Sequence, residues 1–256
     1  MRFACLNTIA PGTDLAEQCA AIAAAGCTGV ETLLFPHDAL EPWQELLKTS
    51  TANAGLRPVV VILGGLALYA PGQEGWLAEA LQAVAEIGAA ALLTPEYRPQ
   101  DPLPLFPPYP APDPAAAAQV EQAVDLVDGL SRRLAVPVYL EPLTPFEGRF
   151  WRDVATVHAI CTRLDNPWIG LALDLHNMNI TEASIVGSLV STSAWVRHIH
   201  LADNNRRLPG QGHMDFRSPI AVLQALGYDG WYSFECAVSG DFVSELRRTL
   251  AWLRTL

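Results

Sequence analysis

Eight times along this 256-residue chain, a short β-branched or apolar run is followed by a longer segment rich in Ala, Leu and Glu. That alternation is the pattern of parallel βα units: a strand covered on both faces needs a continuous apolar run, and each crossover needs a helix. Strands are predicted at 2–7, 29–35, 58–63, 90–96, 136–143, 169–177, 196–203 and 231–237. Helices are predicted at 14–25, 41–54, 75–87, 115–135, 151–163, 182–191, 219–226 and 242–256. Glycines 26, 55, 88 and 227 fall where helices of this kind end, in a position that tolerates a left-handed backbone. Eight units predict a closed (β/α)8 barrel, an α/β fold of about 250 residues. One domain is therefore expected over 1–256, interrupted by a Pro-rich loop at 99–114.

Composition narrows the function. Half of the residues are apolar and spread along the chain, so a large core is expected. The net charge of −11 disfavours an extended nucleic-acid surface, which requires clustered Lys and Arg. No apolar stretch reaches the roughly 20 residues of a membrane span, and MRFACLNTIA has no basic region followed by a long hydrophobic one, so a cytoplasmic protein without a membrane partner is expected. Cys5, Cys19, Cys27, Cys161 and Cys236 are odd in number and include no CxxC pair, which predicts reduced, mostly buried thiols rather than disulfides or a thiolate zinc site.

Four charged or imidazole side chains stand near the ends of four consecutive predicted strands: Glu141 in VYLEPL, Asp174 in IGLALDLHN, His200 in VRHIHLAD and Glu235 in WYSFECA. Strand ends of that sense form the active-site face of such barrels. Taken singly, each has an ordinary structural role, as a helix cap, a loop anchor or a core histidine. Together, three carboxylates converging with an imidazole would repel one another without a cation between them. An oxygen-rich set with one imidazole suits a single divalent ion, Mn²⁺ foremost, with Mg²⁺, Co²⁺ or Zn²⁺ as alternatives. Strand period adds that His198 shares a face with His200, and His176 with Asp174.

These residues resemble the metal site of the xylose-isomerase-like barrel superfamily, and within it the ketose 3-epimerases and related sugar isomerases, whose ligands are Glu, Asp, His and Glu on the last four strands. Glu147, six residues after Glu141, and Arg206, six after His200, are similar to substrate-contacting residues of the epimerases, and RRLPGQGHMDF is similar to their loop after the seventh strand. The pattern departs at Asn177, where the epimerases carry a substrate-binding histidine, with His176 one place earlier. Pro142, Thr144 and Pro145 also differ from the usual neighbours of the first Glu.

The resemblance implies a metal-dependent sugar isomerase or epimerase of carbohydrate metabolism. A proton would leave the carbon beside a carbonyl to give an enediolate, with Glu141 and Glu235 as base and acid. Glu147, Asn177, His198 and Arg206 would contact a sugar or polyol substrate. Alternatives are a keto-polyol dehydratase of the inosose or dehydroshikimate type, an AP-endonuclease-like phosphodiesterase, disfavoured by the acidic charge and six histidines, and a non-catalytic sugar-binding barrel. Homodimers or homotetramers are common among such barrels.

Other polar residues carry plainer expectations. Glu31 and Glu96 are candidates to line the pocket, with a salt bridge nearly as well supported for Glu96. His37 reads as a surface histidine, and His176 and His213 as ordering their loops. Trp43, Trp151, Trp168 and Trp195 read as packing residues. Phe106 and Tyr109 of the Pro-rich loop are equally suited to a lid over the barrel mouth or to a rigid surface connection.

Overall fold

The computed structural model describes residues 1–97 and 109–256. Eight parallel strands, β1 (Arg2–Leu6), β2 (Gly29–Leu34), β3 (Arg57–Leu63), β4 (Ala90–Leu93), β5 (Val138–Leu140), β6 (Ile169–Asp174), β7 (Val196–Leu201) and β8 (Trp231–Phe234), pair in chain order and close into a barrel. The helices around it are α1 (Leu15–Ala25), α2 (Leu40–Ala54), α3 (Glu74–Ile87), α4 (Pro114–Leu134), α5 (Val154–Leu164), α6 (Leu175–Thr181), α7 (Ile185–Thr192), α8 (Arg217–Ala225) and α9 (Phe242–Leu253). The expected (β/α)8 barrel is thus the observed fold.

Local chemistry sets the helix ends. Asp14, Asp113, Asp153, Ser184 and Asp241 each cap a helix by accepting a backbone N–H three residues on, relieving donors that the first turn leaves unpaired. Gly26 ends α1 at φ 100°, a backbone conformation open to glycine and strained for residues with a Cβ.

Strand alternation builds two cores. Outward side chains such as Phe3, Val30, Leu171, Ile199, Tyr232 and Phe234 pack beneath the helices. Inward ones form a small apolar plug of Val60, Ala90, Leu92 and Ala172, with Ile62 and Tyr139 against it. Above that plug the interior turns polar, with Glu31, His198, His200 and Ser233 all fully buried. The register places Asp174 beside His200, and His200 beside Ser233.

Four expected strand ends are corrected: β4, β5, β6 and β8 each stop three residues early, at Leu93, Leu140, Asp174 and Phe234. β6 ends at Asp174 rather than at 177, and α6 begins at once, because the Asp174 carboxylate accepts the His176 N–H at 2.8 Å and caps the new helix. Asp174 and His176 therefore do not share a strand face. All five cysteines are free and buried, as expected. Among the described residues no helix is long and apolar enough to cross a membrane. Most of the Pro-rich segment, Phe106 included, lies outside the described residues. Tyr109 is buried, donates its N–H to the Pro145 carbonyl and accepts from Arg152.

Candidate active site

Glu141 and Glu235 directly follow the last residues of β5 and β8, Asp174 is the last residue of β6, and His200 stands one short of the end of β7. The barrel thus delivers all four expected ligands to one rim. His200 Nδ1 lies 2.9 Å from Glu141 Oε1 and 3.2 Å from Glu235 Oε2. Donor atoms of these three residues all lie within 4.8 Å of one another, a grouping able to hold a metal ion. Asp174 stands beside this trio and is gripped by Arg206, whose Nη1 donates to its Oδ2 at 2.7 Å.

Electrostatics mark the cluster as crowded with negative charge. Burial pushes Glu235 up to about 8, and neighbouring Glu141 and Asp174 add to the rise against His200 and Arg206. Burial raises Glu141 as well. Burial works against a charged His200, but Glu31, Glu141 and Glu235 outweigh it and hold the imidazole well above its ordinary range. Arg206 is held protonated despite burial by Asp174, Glu235 and Glu147. Among the described residues it is the only Arg or Lys paired with these rim carboxylates.

The loop after β7 presents that guanidinium. Asp203, fully buried, accepts four backbone N–H groups, from Asn204, Gly210, Gly212 and Met214, and so folds the loop around its carboxylate. A Cβ on Gly212 would come within 2.2 Å of both Asp203 Oδ1 and Asn204 Oδ1, so any side chain there would have to displace them. Arg206 sits at φ 56°, a left-handed conformation that costs a non-glycine residue about 1–3 kcal/mol. Hydrogen bonds from Arg206 N–H to the Asp203 carbonyl and from Ala237 N–H to the Arg206 carbonyl hold it. Its Nη2 donates to Glu147 Oε1 at 2.9 Å and to Asn177 Oδ1 at 3.1 Å. Glu147 is itself fixed through its other oxygen by the Thr144 N–H and hydroxyl.

The expected substrate residues therefore divide. Glu147, Asn177 and Arg206 come together at the rim. His198 does not: its ring is fully buried in the barrel, one inward step below His200, with Nε2 3.3 Å from Glu31. Strand period identified the shared face of the two histidines but not their depth. Glu31 likewise lies beneath the site rather than lining its mouth, with Oε1 2.9 Å from His200 Nε2. Glu96 is taken by a bidentate pair with Arg149, whose guanidinium also lies over the Tyr69 ring. His176 Nδ1 faces the Asp203 carbonyl at 2.9 Å, which ties α6 to the loop. His37 and His213 are exposed, and Trp43 and Trp151 pack as expected.

A family model described as a xylose isomerase-like TIM barrel matches residues 19–256. The chain belongs to that family. Among curated members, the 3-dehydro-D-guloside 4-epimerase of Escherichia coli strain K12 is 26% identical over 235 residues, covering 82% of this chain and 84% of the relative. The ketose 3-epimerase of Arthrobacter globiformis is 29% identical over 142 residues, 56% of this chain and 49% of the relative. In the fold alone, a 3-keto-D-glucoside 4-epimerase from E. coli in apo form superposes with a TM-score of 0.87 at 22% identity over the whole of both chains. A D-allulose 3-epimerase from Methylomonas sp. in complex with D-allulose gives 0.82 at 18% identity, over 100% of this chain and 96% of the other.

Within this xylose isomerase-like barrel one rim residue escaped the sequence reading. Tyr97 follows β4, and its hydroxyl is raised by partial burial and then by the charges of Glu147, Glu235 and Glu141, against Arg206. Its only sequence signal was its place after a strand, at the edge of the Pro-rich segment.

Proposed function

We propose that this protein is a metal-dependent sugar epimerase that inverts a carbon adjacent to a ketone. The observation that carries the reading is the meeting of Glu141, His200 and Glu235 at the barrel rim, with Asp174 beside them. Two buried carboxylates and a partly exposed third against one guanidinium and one imidazole suit a divalent cation, with Glu141, Asp174, His200 and Glu235 as its holders. When bound, such an ion would supply Lewis-acid stabilisation of the negative charge that develops on substrate oxygen as the proton leaves.

The chain's own residues do the rest. Glu141 and Glu235 both reach the same imidazole nitrogen, His200 Nδ1, and each can move a proton to or from a substrate carbon. Removal by one and return by the other to the same carbon inverts it. Arg206 carries a fixed positive charge and spare N–H donors toward a carbonyl or hydroxyl, and Glu147 and Asn177 set its plane.

The relatives favour epimerisation over dehydration. A 4-epimerase of a 3-dehydro sugar and a 3-epimerase of a ketose both invert a carbon next to the carbonyl. The 4-epimerase match spans most of both chains, so 3-keto glycosides join free ketoses as candidate substrates.

The test is elemental analysis of the purified protein, coupled to NMR of ketoses and 3-keto glycosides in heavy water with Mn²⁺. Bound metal, and metal-dependent exchange of the C–H beside the carbonyl that Glu235→Gln abolishes, are expected. Bound metal with no exchange on either substrate class would refute the epimerase reading.

A further inference from the structure

Beneath the rim, Glu31 bridges two imidazoles: its Oε1 lies 2.9 Å from His200 Nε2 and its Oε2 lies 3.3 Å from His198 Nε2, with all three side chains fully buried. The carboxylate comes from β2 and the histidines from β7, on separate parts of the barrel wall. The two rings stand edge-on, with centroids 4.9 Å apart at 89°. Both oxygens are engaged at once, so the carboxylate is held in one rotation. Resting on the metal reading above, we infer that Glu31 is a positioning residue that selects the tautomer and ring orientation of His200.

The argument follows from donors and acceptors. An ionised carboxylate only accepts, so the His200 nitrogen facing Glu31 carries the proton. A neutral imidazole has one N–H, and fixing it at Nε2 leaves the lone pair on Nδ1. Nδ1 is the nitrogen turned to Glu141 and Glu235. Without Glu31 the ring has no fixed choice, and half of its tautomers aim an N–H at the cation site. Partners of this kind orient metal-binding histidines generally.

The same three residues could be read as a second cation site. Against that, both Glu31 oxygens are already engaged by the Nε2 atoms of the two histidines, leaving His198 Nδ1 as the one ring nitrogen of the pair without a partner, and none of the three has surface open to water or substrate.

The test compares wild type, Glu31→Gln and Glu31→Asp by Mn²⁺ titration calorimetry, ¹⁵N NMR of the Mg²⁺-loaded protein and thermal unfolding. Wild type is expected to bind one ion and to show His200 as a single Nε2–H tautomer. Glu31→Gln keeps the shape but offers either an oxygen or an NH₂ to His200, and is expected to bind Mn²⁺ about 10- to 100-fold more weakly with that tautomer lost. Glu31→Asp retains the carboxylate at shorter reach, so it is expected to preserve the tautomer and lose less affinity, even if the glutamine variant fails to fold. Unchanged affinity and tautomer in Glu31→Gln, or equal loss in both variants, would overturn the inference. So would two ions in wild type and one in Glu31→Gln, which would make Glu31 a ligand. A wild type that binds no ion would overturn the metal reading itself, and the inference with it.

Discussion

Arg206 donates to the carboxylate of Asp174 at 2.7 Å, joining the loop after β7 to the last residue of β6. Through its other terminal nitrogen the same guanidinium holds Glu147 and Asn177, so one planar group ties together β6, α6 and the loops after β5 and β7. A flat, forked cation can serve these acceptors simultaneously, whereas an ammonium cannot match the geometry.

Replacing Arg206 by Ala is therefore expected to lower kcat/KM about 100- to 1,000-fold, the usual effect of removing a preorganised donor. Arg206→Lys should recover little of it, despite keeping the charge. Steady-state kinetics on the substrate identified by exchange checks this; full activity in the lysine variant would show that charge alone suffices.

Much of this arrangement was legible because charged residues in apolar strand runs are conspicuous. Glu141, Asp174, His200 and Glu235 stood out in that way, and the barrel order put them on one rim. Depth was not legible: His198 and His200 share a face, but only the closed register shows that one lies below the other. The end of β6 was also hidden, since LALDLHN reads as apolar strand until the Asp174 carboxylate caps α6. That turn carries Asn177 to Arg206 by helical rather than strand geometry. Glu31 carried the same sequence signal as the ligands, yet its partners are more than 160 residues away along the chain.

Metal-free protein is expected to lose stability as pH rises from the ordinary carboxylate value of 4.5 to about 8. Glu235, held near 8, and His200, held well above its ordinary value, keep protons in the folded state that the unfolded chain has already released. Their folded-state values are raised, so the stability they contribute is present at lower pH and lost as pH climbs through those values. Glu31 is shifted downward, with burial opposing and His200 and His198 prevailing, so its contribution fades only on the acid side. On the proposed metal reading a divalent ion would replace the protons, and the gap in Tm between Mn²⁺ and EDTA samples should widen across this window. A gap that narrows with pH would contradict the assignment.

Gly212→Ala should disable the loop without touching the rim. The new Cβ would lie within 2.2 Å of Asp203 Oδ1, displacing the carboxylate that four backbone donors share. A loss of about 1–3 kcal/mol is expected from unsatisfying such buried groups, together with a fall in kcat/KM as Arg206 loses its strained pose. Urea unfolding and kinetics read the two effects; wild-type values in both would show that the loop adapts freely.

The two proposed proton carriers differ in access to water, and that difference should appear in isotope distribution. The Glu235 side chain is 32% exposed and that of Glu141 is 8% exposed. A proton taken by Glu235 can exchange with solvent before it is returned, whereas one taken by Glu141 is shielded. During epimerisation in heavy water, unreacted substrate recovered from the direction in which Glu235 is the base should therefore gain deuterium, while that from the opposite direction should stay largely protonated. Glu141→Gln and Glu235→Gln assign the directions, since each should slow C–H cleavage, read as conversion to the other epimer, chiefly for the epimer whose proton it takes, by about 100- to 10,000-fold. Equal label in both recovered pools, with both variants affecting both epimers alike, would point instead to a single base serving both faces.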